Sequence, residues 1–194
     1  MRYLLTSFLC VFTLSITAQL PNGSVAPDFT ATDIDGNEWT LYDLLDEGNT
    51  VILNFGYAWN IIGMNYAQTG VLQDLYSTFG PDGTGDLYIF FLECDDDNTT
   101  EVLNGNGTFT AGDWVSIINY PMFDNMENVF NDYQNLGAPT IYTVCPDGTL
   151  NATTGEMEYS LVMSGQTTFE GHFSAAFMDC SNSITGAAPL IAYN

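Results

Sequence analysis

The chain has 194 residues, 46% of them hydrophobic, which is room for one substantial core, and nothing in its patterning divides it into two domains. Its 24 acidic residues stand against a single basic residue, Arg2, and one histidine, His172, for a formal net charge of −23. That balance excludes nucleic acid, anionic lipid and anionic metabolites as partners, because neutralising phosphate takes Lys and Arg that the chain does not have.

Residues 1–18 combine Arg2, an apolar run over 4–16 broken only by small polar residues, and Thr17-Ala18 ahead of Gln19. The run is short for a bilayer span and ends on a small residue, so it reads as a secretory signal peptide. Cys10 inside it follows Ser7-Phe8-Leu9, which does not suit a lipoprotein anchor. Removing the leader takes Arg2 away and leaves no membrane-inserting segment. The carboxylates then have no Lys or Arg partner in their own chain. Their repulsion must be relieved by salt, by cations from the medium on the acidic surface, or by raised carboxylate pKa values. An acidic surface suited to a salty exterior is the plain reading, and cation storage the alternative.

A polar lead-in over 19–24 precedes the expected domain, 25–180. Residues 28–40 alternate around Asp35-Gly36-Asn37 as a hairpin does, and a helical turn over 42–46 closes at Gly48. The run VILNF over 51–55 is strand-like; it passes through Gly56 and Trp59 into a pattern that turns helical from Ile62. Leu72, Leu75 and Phe79 continue that period, flanked by Tyr66 and Tyr76, until Gly80-Pro81-Asp82-Gly83 stops it. Residues 87–92 form a second apolar strand, expected parallel to and beside the first by the right-handed crossover rule.

Residues 95–112 are polar and rich in Gly, Asn and Thr, a long loop with at most a short helix around Glu101. Met126, Val129, Phe130 and Tyr133 then share one side of a helix. The last two strands, over 140–144 and 159–163, are joined through Pro146-Asp147-Gly148. Thr167 opens a final helix with Glu170 three residues on, a capping-box pattern, and Phe169, Phe173 and Phe177 line its inner face. Residues 181–194 are small and polar, a tail or linker. The order describes an α/β fold: a four-stranded mixed central sheet, helices on both faces and an N-terminal hairpin extension.

Several pieces of this pattern resemble the thioredoxin-like superfamily, in particular its extracytoplasmic, redoxin-type and peroxiredoxin-related members. Ala26-Pro27-Asp28-Phe29, the Asp35-Gly36 turn and Leu41 with Leu44 are similar to the entry of that group. Ala138-Pro139-Thr140-Ile141-Tyr142, followed by Asp147-Gly148, is similar to the segment in which these proteins carry a cis-proline facing the redox pair. The likeness covers about 25–180. It implies a Cys-x-x-Cys pair immediately after Trp59, where this sequence has Asn60-Ile61-Ile62-Gly63. Both thiols of the redox pair are therefore missing. Asn60 can cap the helix but cannot attack a disulfide, and Gly63 supplies neither nucleophile nor proton donor.

Other residues carry weaker signals. Cys94 follows the second parallel strand and should reach the same sheet edge as Asn60. Its neighbours Glu93, Asp95, Asp96 and Asp97 should raise its pKa, so an inert thiol is set against a catalytic one. A peroxidatic Pro-x-x-x-Thr-x-x-Cys string is absent. Cys145 and Cys180 should meet at the edge opposite the proline and form a structural disulfide, leaving Cys94 as the free thiol. Glu93 with Asp95-Asp96-Asp97-Asn98 lacks the spacing of a helix-loop-helix calcium site and reads as a solvated acidic loop. His172, alone, reads as a helix-surface side chain with no zinc role. Asn22, Asn98, Asn106 and Asn151 begin Asn-x-Ser/Thr acceptor patterns. Tyr57, Trp59, Tyr66 and Trp114 resemble core and groove lining.

No metal and no cofactor is expected. The resemblance implies a groove around Trp59, Asn60, Ile61, Ile62, Gly63, Ala138 and Pro139 that takes an extended peptide by backbone pairing, which survives loss of the cysteines. The reading is a secreted or periplasmic thioredoxin-like domain, a non-catalytic module for a peptide or protein partner. Two alternatives stand beside it: a residual oxidoreductase acting through Cys94 or a partner thiol, and an architectural domain of a longer surface protein or polymer.

Overall fold

The computed structural model describes residues 19–97, 99–164 and 168–180. The leader with Cys10, the tail, Asn98 and Thr167 lie outside the described residues. The hairpin forms as expected: β1 (Thr30–Thr32) pairs antiparallel with β2 (Glu38–Thr40), Ala31 opposite Trp39. Asp33 closes its turn, its carboxylate accepting from the amides of Asp35 and Asn37 and from Trp39 Nε1. Helix α1 (Leu41–Asp46) follows at once and buries Leu41, Leu44 and Leu45.

The sheet is built on β3 (Thr50–Gly56), all of whose residues are buried. A strand alternates its side chains, so Val51, Leu53 and Phe55 join one core layer with α1, while Ile52 joins another on the opposite face. The helical stretch that follows is two helices, not one: α2 (Ile61–Ala67) and α3 (Val71–Phe79). They are separated at Gly70, whose φ of +78° is left-handed and suited to glycine. The crossover delivers β4 (Leu87–Glu93) parallel to β3 as expected, with Thr50 opposite Leu87 and Gly56 opposite Glu93.

A short 3₁₀ turn (Thr100–Leu103) lies in the polar loop, where the sequence allowed a short helix at most. Next come β5 (Met122–Phe123), parallel to β4, and α4 (Glu127–Asp132). The chain then returns as β6 (Thr140–Val144), antiparallel to β3. A small hairpin of β7 (Thr149–Leu150) and β8 (Met157–Glu158) precedes β9 (Leu161–Ser164), antiparallel to β6. The sheet order is β5-β4-β3-β6-β9: the four expected strands, with β5 added at one edge. The lead-in docks beside the β9 end, where Gly23 N–H donates to Leu161 O at 2.8 Å and Ala26 N–H to Tyr159 O at 2.8 Å. No helix among the described residues is long and apolar enough to cross a membrane.

The last helix, α5 (Phe169–Ser174), continues as a π-helical turn (Ala175–Asp179). Its N-cap is Thr168, whose side chain accepts from the Gly171 amide at 3.1 Å; the capping box expected between Thr167 and Glu170 rests on a residue outside those described. One expectation about the helix needs correction. His172 is fully buried, not on the surface, and its Nε2 lies 2.6 Å from the Tyr66 hydroxyl. Burial pushes its pKa down to about 4. Phe169, Phe173 and Phe177 are half-buried and pack around Phe79 with ring centroids 6.4, 5.5 and 4.8 Å away.

Candidate functional site

Strands β3 and β4 end level, at Gly56 and Glu93, and the chain leaves β3 in a turn over 57–60. That turn is bolted down at Ala58, which is buried. Its N–H donates to Glu93 Oε1 at 3.0 Å, and its carbonyl accepts from the Ala111 amide at 2.8 Å and from Trp114 Nε1 at 2.9 Å. With both backbone groups of Ala58 held, the neighbouring side chains are presented in fixed directions. Trp59 turns outward, 46% exposed, stacked on Tyr57 at 5.0 Å and 6° and donating from Nε1 to Asp95 Oδ2 at 3.0 Å.

Asn60 is the N-cap of α2, as its residue type suggests: Oδ1 accepts from the amides of Ile62 at 2.9 Å and Gly63 at 3.2 Å. The other end of the same amide, Nδ2, donates to the carbonyl of Ala138 at 2.7 Å. The Ala138-Pro139 bond is cis. The two segments that the sequence links by resemblance are thus joined directly. Around this contact Ile61 is 57% exposed, Ile62 66% and Leu136 76%, and Pro139 is exposed too. Gly63 is buried, and a β-carbon there would lie 3.3 Å from Trp114 Cη2. The indole of Trp114, stacked on Phe91 at 4.8 Å, closes the space behind the helix start.

Glu93 corrects another expectation. It is not part of a solvated loop but fully buried beneath the turn, its Oε1 serving Ala58 and its Oε2 accepting from the Asp95 amide at 3.0 Å. Burial outweighs those two donors and, with Asp124 and Asp95 nearby, pushes its pKa up to about 7. Sequence reasoning missed it because its partners are backbone amides and its neighbours are acidic. The signal that could have found it is its place as the last residue of an apolar strand run.

Cys94 does reach the same edge as Asn60, its amide donating to Gly56 O at 3.0 Å. Its thiol is buried and donates to Leu92 O at 2.9 Å. Burial first, then the charge of Glu93, pushes that thiol far above the ordinary range, which disfavours the thiolate. Cys145 and Cys180 form the expected disulfide, with S–S 2.05 Å and Cα atoms 5.0 Å apart, at the far end of β6 from Pro139. Among the described residues no group of three or more His, Cys, Asp or Glu is placed to hold a metal ion. The site thus gathers exposed apolar side chains and hydrogen-bonding groups, and the free thiol among the described residues is the buried Cys94.

Solved structures share this fold. The thioredoxin domain of a thiol-disulfide oxidoreductase from Bacteroides vulgatus superposes with a TM-score of 0.53 at 20% identity, covering 81% of this chain and 99% of that one. A thiol:disulfide interchange protein from Bacteroides sp. gives 0.50 at 22% identity, covering 81% and 91%. No protein-family model and no curated protein matches the chain. With a cis-proline across from the start of the helix that follows the central strand, the chain has the thioredoxin-like fold.

Proposed function

We propose that this chain is an exported thioredoxin-like module that holds an extended peptide or a partner surface without thiol chemistry. One observation carries the reading: the Asn60 amide, between the helix start and Ala138, fills the position where the resemblance puts an attacking thiol. The apolar rim of Trp59, Ile61, Ile62, Leu136 and Pro139 around it stays open to solvent. Exposed apolar surface gathered around one feature is characteristic of an interaction site. The solved neighbours are named for thiol-disulfide exchange, but the only free thiol among the described residues, Cys94, is buried and un-ionised.

Export is supported by the leader-like residues 1–18 and by a disulfide of the kind that persists in oxidising compartments. Cations of the medium serve as counter-ions for the acidic surface. The test is insulin-disulfide reduction by the purified protein with dithiothreitol as electron source: the reading expects no turnover above the reagent alone. Turnover that Cys94→Ser abolishes would establish the oxidoreductase alternative instead.

A further inference from the structure

We infer that the ligand of this site is basic: an extended segment whose Lys or Arg side chain lies on the open face of the Trp59 indole, beside Asp95. The inference rests on the peptide-binding reading above and specifies its partner. Three rings form a ladder from the core outward. Phe130 is buried, Tyr57 lies 5.8 Å from it, and Trp59 stacks on Tyr57 nearly parallel. One face of the indole is covered by Tyr57, so its 46% exposure is presented on the other.

The ring is also fixed in the plane by its bond to Asp95 Oδ2, and a carboxylate accepting from the indole N–H enriches the ring face in negative charge. Asp95 is itself held in place. Its Oδ1 accepts from the Asp97 amide at 3.2 Å, and its own amide donates to Glu93. Asp96 and Glu127, both exposed, are tied together by the bond from the Glu127 amide to Asp96 Oδ1 at 3.1 Å. The negative field reaches the ladder: the Tyr57 hydroxyl is raised in pKa by burial first, and the carboxylates of Asp95, Glu127 and Glu93 add to it.

An open aromatic face under negative potential attracts a cation, and the described residues include no Lys or Arg to offer it. The chain's sole Lys or Arg is Arg2, and His172 is buried against Tyr66. A second copy carries the same −23 charge and is repelled. A bare metal ion would satisfy the carboxylates but leave Ile61, Ile62 and Leu136 uncovered, whereas a segment with Lys or Arg among apolar residues covers both.

The test uses a short Val- and Thr-rich extended peptide carrying one Arg, and its twin with citrulline, which keeps the shape and loses the charge. Binding to the full chain is measured by fluorescence anisotropy at about 20 mM and about 500 mM salt. The Arg peptide should bind roughly tenfold tighter at low salt. Trp59→Ala and Asp95→Asn should each remove that advantage, and high salt should shrink it. Equal affinity for the two peptides overturns the basic preference and leaves the peptide reading standing. An Arg advantage that survives both substitutions places the cation elsewhere and also overturns it. No binding of either peptide overturns both readings.

Discussion

Asn60 uses both ends of one side-chain amide: its oxygen caps α2 through the amides of Ile62 and Gly63, and its nitrogen donates to Ala138 O at 2.7 Å. A single residue therefore satisfies the helix start and ties it to the cis-proline loop some 78 residues further along the chain. The Asn60→Ala variant loses both bonds and should cost about 2 kcal/mol in urea unfolding. Asn60→Ser keeps a capping oxygen but cannot span to Ala138, so it should lose about half as much. Equal losses for Ser and Ala would mean that the cap contributes nothing.

Gly63 bears on whether the lost redox pair can be rebuilt. A side chain there meets Trp114, whose indole is pinned by the bond to Ala58 O and by stacking on Phe91. The Asn60→Cys/Gly63→Cys double variant should therefore form a disulfide poorly. Adding Trp114→Phe, which shortens the ring, should let the pair close. Thiol titration after mild oxidation measures this: free thiols should remain in the double variant and fall in the triple one.

The parts of this arrangement that were legible in the sequence are those set by local chemistry. The VILNF run, the Asp35-Gly36 turn and an Asn at a strand-helix junction each announce a strand, a hairpin and a cap through residue type and period. The cysteine pairing followed from topology. What stayed hidden depends on contacts between distant segments. Trp114 reaches Gly63 only because the 104–113 loop folds back onto Ala58, and His172 is inside because Tyr66 meets it from another helix. Strand β5, two residues long, is too short to show a period. The break at Gly70 did have a local sign, a glycine inside a helical pattern, which the regular spacing of Leu72, Leu75 and Phe79 obscured.

Glu93 gives a pH dependence of definite sign. Its carboxyl is raised from 4.5 to about 7 in the folded chain. Between those values the folded state keeps a proton that the unfolded state releases, so stability falls as pH rises through this window and levels off above it. The contribution is on the order of 3 kcal/mol. It is best measured at high salt, where surface carboxylates are screened and the buried Glu93, facing Asp95, Asp124 and Cys94, is not. Glu93→Gln should flatten the decline; an unchanged slope would assign it to other groups.

The Cys145–Cys180 bridge spans 35 residues and should be worth roughly 3 to 4 kcal/mol on the chain-entropy account. Reduction, or the Cys145→Ser/Cys180→Ser variant, should lower the Tm by several degrees. Because the bridge lies at the far end of β6 from Pro139, peptide binding below that Tm should be unchanged.

The most direct measurement is a titration of an extended, Arg-bearing peptide into ¹⁵N-labelled protein, reading the indole signals of Trp39, Trp59 and Trp114 together with the backbone. Binding at the Asn60–Ala138 contact predicts that the Trp59 indole moves, along with amides near Asn60 and Thr140, while the indoles of Trp39 and Trp114 stay in place. A spectrum in which Trp59 is unmoved at saturating peptide would contradict the account.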